Sequence, residues 1–89
     1  MAKKRRKLNK DFERKIYTSR KNVELVLAKI YDIDDEDIQK EYISAFNVVV
    51  SLYDQLKEDY EKLGFHDKSE DLLRNYKNAF NLFESKFEI

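Results

Sequence analysis

With 89 residues, 42% of them apolar and 40% charged, the chain makes one domain with a single modest core, and a second domain is excluded. No Pro, one Gly and no Cys leave it without the punctuation that sheets and loops need, without a disulfide framework and without any thiolate metal site. The formal net charge of zero conceals a split: ten Lys or Arg stand against Asp11 and Glu13 in the first 21 residues, so that stretch carries about +8 and the rest about −8.

The chain opens with the basic run Lys3, Lys4, Arg5, Arg6 and Lys7, with no apolar residue after Ala2. Like charge without apolar surface does not order itself, so residues 1–8 are expected to form a disordered basic N-terminal arm that a partner would order. Residues 9–89 are expected to form the folded body. Phe12, Ile16, Val23, Val26, Leu27 and Ile30 recur at helical spacing and predict a first helix over about 9–31. Its start is basic, against the helix dipole, and a binding role would account for Lys10 and Arg14 there.

The second helix is predicted over about 34–63. Asp34 is expected as its N-cap, with Asp35, Glu36 and Asp37 in the first turn and Gly64 closing the other end. Tyr42, Phe46, Val49, Tyr53, Leu56, Tyr60 and Leu63 alternate at four and three residues throughout. Val48, Val50 and Leu52 lie off that stripe. Helices on either side are too short to cover such a surplus, so a homo-oligomer, at least a dimer, is expected. A third helix over about 67–88 opens on a capping box of Asp67 and Glu70 and carries Leu73, Tyr76, Phe80, Phe83 and Phe87. Short connections make neighbours antiparallel, which gives an all-α, up-down-up three-helix bundle with a long central helix.

Little here reads as catalysis. The acids Asp32 to Asp37 lack the Gly and Glu of a calcium loop, because Asp37 and Ile43 occupy those positions, and helix capping explains them. His66 is the only histidine, stands beside Gly64, and reads as a surface turn residue with no nucleophile arranged near it. No enzyme activity, cofactor or metal is expected. No apolar run approaches the ~18 residues of a membrane span and no signal segment follows the basic start, so a cytoplasmic location without membrane attachment is expected. Most aromatic residues lie on the core stripes. Tyr17, beside Lys15 and Arg20, is the one placed to stack on a base.

A nucleic-acid contact is therefore expected at Lys3, Lys4, Arg5, Arg6, Lys7, Lys10 and Arg14, through phosphates and with little sequence choice. A protein partner is expected on the acids Asp54, Glu58, Asp59 and Glu61 of the second helix. From Val23 onward, the run D-I-Q-K-E-Y-I-S-A-F-N-V-V-V-S-L-Y-D-Q-L, then E-K-L-G-F, then L-L-R-N-Y-K-N-A-F-N-L-F resembles the helical body of phage small terminase subunits. That resemblance implies a DNA-binding, oligomeric accessory protein that recruits a packaging enzyme, and it carries over Lys3 to Lys7 and Arg14 as phosphate contacts. The competing expectation is a small helical inhibitor or immunity protein that binds one protein through the acidic second helix.

Overall fold

The computed structural model describes residues 7–87. Three helices follow one another, α1 (Lys10–Tyr31), α2 (Glu36–Leu63) and α3 (Ser69–Lys86), and among the described residues the sole β-type pairing is an isolated parallel bridge between Lys7 and Gly64. Phe12 of α1 packs on Tyr60 near the end of α2, whereas Gln39 near its start reaches the carbonyl of Ile30. Tyr42 likewise meets Phe87, and Tyr53 meets Tyr76. Both neighbours therefore run antiparallel to α2 and parallel to each other, in an up-down-up bundle. The result is a rod of 57 × 21 × 18 Å.

Each helix start departs slightly from the sequence expectation, for a local reason. Asn9 caps α1, its extended backbone (φ −140°) letting the side chain accept from the Phe12 amide at 3.0 Å. The cap of α2 is Asp35 rather than Asp34, and it accepts from the amides of Asp37 and Ile38. The amides of Asp32 and Ile33 still close the last turn of α1, so the reversal is completed only at Asp35. Gln39 finishes the same corner by directing its side-chain amide at the carbonyls of Ile30, Tyr31 and Ile33, at and just beyond the end of α1.

The expected capping box of Asp67 and Glu70 does not form. The cap position of α3 is Lys68, with no side-chain bond, because His66 and Ser69 close the turn on each other: the His66 amide donates to Ser69 Oγ at 2.9 Å and the Ser69 amide to the His66 carbonyl at 3.0 Å. Asp67 is left facing water. At the other end α3 stops at Lys86, short of the expected 88. Phe87 turns to an extended backbone and lays its ring against Phe83 (4.9 Å) and Tyr42 (4.8 Å).

Gly64 ends α2 at φ 73° and ψ −161°, a region that a Cβ closes to other residues. The core runs along α2, with Phe46, Val49 and Leu56 fully enclosed and Ile30 buried against them from α1. The apolar surplus expected to need a second copy is taken up largely within one chain. Ala45, Val50 and Leu52 pack against the core from its edges, and of the off-stripe residues only Val48 stays exposed.

Candidate nucleic-acid interface

Lys3, Lys4, Arg5 and Arg6 lie outside the described residues. The part of the expected arm that is described, Lys7 and Leu8, is tied to the bundle at its first residue. The Lys7 carbonyl accepts from the Phe65 amide at 2.7 Å, and its backbone runs parallel to Gly64. This pairing is available because Gly64, with no side chain, lets a second backbone approach the turn. Leu8 stays exposed, and the chain is held again at Asn9, whose amide donates to Tyr60 Oη at 3.0 Å.

Tyr60 completes a polar chain by donating to Glu13 Oε2 at 2.6 Å, and its ring packs against Phe12. Phe12 in turn stands edge-on to Phe65 at 5.1 Å. The base of the basic segment is thereby fixed to the last turn of α2 and the α2–α3 turn. Two acids at this end are held in internal bonds, Glu13 by Tyr60 and Asp59 by His66 at 2.6 Å. Because His66 Nδ1 accepts from the Lys68 amide, the ring proton sits on Nε2 and is donated to the Asp59 carboxylate. His66 is thus more than the surface turn residue expected of it: it is mostly buried and cross-links the turn to α2.

Of the predicted contacts on α1, Lys10 is exposed in the first turn and forms no ion pair with any described residue. Arg14 is exposed and meets Asp11 only at 4.0 Å, a surface pair of small value. Lys7, Lys10 and Arg14 fall within one short stretch at the same end of the rod. Tyr17, the stacking candidate, is exposed, but Lys21 Nζ already sits 5.3 Å from its ring centroid. Arg20 is committed to Glu24 at 3.0 Å, and that carboxylate raises its pKa further above the usual arginine value.

The four acids predicted as a partner surface divide. Asp54 and Glu58 are exposed and in no ion pair among the described residues, whereas Glu61 lies 4.0 Å from Lys57 and Asp59 is taken by His66. Sequence reasoning missed the Tyr60 hydroxyl, Gln39 and the His66 bridge, because each acts on a segment that no local pattern names. Among the described residues no group of three or more His, Asp or Glu is arranged to hold a metal ion, and no helix is long and apolar enough to cross a membrane.

No family profile matches the chain, nor does any curated protein or solved structure.

Proposed function

We propose that the chain is a non-catalytic, cytoplasmic nucleic-acid accessory protein that grips phosphates with its basic N-terminal segment and the first turns of α1. The observation that supports this reading is the anchoring of Lys7 to the Gly64–Phe65 turn, at the same end of the rod as the exposed Lys10 and Arg14. Contacts of this kind give affinity that is electrostatic and nearly independent of sequence. A role of the phage DNA-packaging type fits the same arrangement, and homo-oligomerisation would multiply the contacts.

The test is binding to a short DNA duplex across a salt series, with the intact chain and with Lys3, Lys4, Arg5, Arg6 and Lys7 replaced by Ala. Lys7→Ala keeps the backbone bond to Phe65, so the variant reports side-chain charge alone. The intact chain is expected to bind with a log-log salt slope of about −4 to −6, for five to seven neutralised phosphates, and the variant to lose most of the affinity. No binding by the intact chain at low salt overturns the reading.

A second reading rests on the exposed, unpaired Asp54 and Glu58, which suit a basic protein surface in the manner of an inhibitor or immunity protein. It requires a partner whose binding survives removal of the basic arm and is lost on charge reversal at Asp54 and Glu58.

A further inference from the structure

α1 and α3 lie side by side on α2 but hardly touch. Among the described residues the hydrogen bond that joins them runs from Tyr76 Oη to the Ser19 carbonyl at 3.1 Å. Beyond it they are separated by an open groove of about 730 Å³, lined by both helices. Its inner side carries Val26, Tyr76 and Phe80, and the exposed Leu25 stands among its lining residues. Its charged lining is Lys15, Lys29 and Lys77, none of which forms an ion pair with a described residue, together with Glu84 and the surface pair of Arg14 and Asp11, so cations exceed acids.

We propose that this groove binds an acidic amphipathic helix of a partner protein. Charge and apolar lining together call for a ligand with a carboxylate face and an aliphatic face, which is how a helix in a groove is recognised. The spacing fits as well. Lys15 and Lys29 are 14 residues apart on α1, about 21 Å along its axis, and a helical ligand presents carboxylates at the same rise. The Tyr76–Ser19 bond sets the level of Lys77 on the facing wall between those two lysines.

A nucleic-acid strand suits the groove less well. Tyr76 is buried, and Phe80 is half-buried with its ring committed to Phe46 and Tyr76, which leaves little aromatic surface on which a base could stack. Nor does the α2 stripe of a second folded copy supply the ligand, since most of that stripe is buried in its own core, with Leu63 at its end exposed. The proposal does not rest on the nucleic-acid reading: the arm plays no part in it, and of the expected phosphate contacts only Arg14 lines the groove.

The test uses the full chain and a fluorescein-labelled peptide of about 18 residues, with leucines at helical i, i+3, i+4 and i+7 spacing and glutamates elsewhere. Anisotropy titration is expected to give saturable binding, weakened about tenfold or more by Lys15→Glu, Lys29→Glu and Lys77→Glu together, and unchanged by Ala at residues 3–7. Amide chemical shifts are expected to move along 22–29 and 76–84. Circular dichroism verifies that the triple variant is folded; if it is not, Lys→Gln at the same positions replaces it. Equal binding by a scrambled peptide of the same composition overturns the proposal. So does undiminished binding by the folded variant, or shift changes confined to other surfaces. Binding of a single-stranded oligonucleotide through these lysines, without binding of the peptide, also overturns it.

Discussion

α3 and α1 are packed against the same central helix by different means. α3 meets α2 through rings: Phe83 lies 4.8 Å from Phe46 and edge-on to Tyr42, while Phe80 meets Phe46 and Tyr76 meets Tyr53 edge to face. α1 contributes one buried ring, Phe12, with Val23, Val26 and Ile30, and is held in register by polar links from Tyr60, Gln39 and Tyr76. Apolar burial is strong and non-directional, whereas hydrogen bonds are weaker but fix position. One helix is held mainly by surface area and the other is placed largely by direction. That difference goes with the open groove between them.

The contrast can be broken most severely at Phe46, which is fully buried among the α3 rings. Phe46→Ala is expected to cost about 3–5 kcal/mol in urea unfolding, a large share of a domain's stability. An equally costly Val23→Ala would contradict the assignment of the greater apolar burial to the α2–α3 side.

Tyr76 joins the two regimes, since its ring packs in the α3 interface and its hydroxyl reaches α1. Burial pushes that hydroxyl up to about 12. A folded pKa raised above the unfolded value of about 10 means that stability is unaffected by this group's ionisation below pH 10 and falls as pH rises from 10 towards 12. Tyr76→Phe loses the bond to the Ser19 carbonyl and is expected to be less stable than the parent at neutral pH, while its unfolding free energy should fall less steeply between pH 10 and 12. Parallel curves for the two proteins would refute this.

Tyr60→Phe removes the bond to Glu13 and the acceptor for the Asn9 amide. The expected cost is about 1.5 kcal/mol, the lower end for a hydrogen bond to a charged group, because Glu13 is exposed. Hydrogen exchange sharpens the comparison: protection of amides 9–13 should fall while that of 73–83 is retained. The smallest effect is expected at the corner between α1 and α2. Asp35→Ala should cost about 1 kcal/mol as a lost N-cap, and Asp34→Ala should be nearly neutral, both read by thermal unfolding.

How far the sequence could be read varies with the range of the interaction. The periodicity of α2 and its end at Gly64 are visible in the residues alone, because the aromatic and aliphatic positions repeat at helical spacing and only Gly suits the reversal. The shift of the cap from Asp34 to Asp35 was beyond reading in a run of four consecutive acids, each able to cap. How much of the apolar surplus of α2 one chain covers was illegible for a related reason: periodicity identifies a stripe but not the width that two flanking helices cover. For the interface, exposure of Lys10 and Arg14 followed from their polar helix positions, but the tether at Lys7 did not.

The sequence by itself determined three helices, the polarity of their order and a basic segment at one terminus, since these depend on local spacing, capping chemistry and charge. Tertiary structure alone decided that Lys7 pairs with Gly64, that Tyr60 links Asn9 and Glu13, that His66 holds Asp59, and that Lys15, Lys29 and Lys77 surround one groove. Those contacts join residues far apart in the chain or on separate helices, and their geometry depends on how the rings of α2 seat its neighbours, which no local pattern encodes.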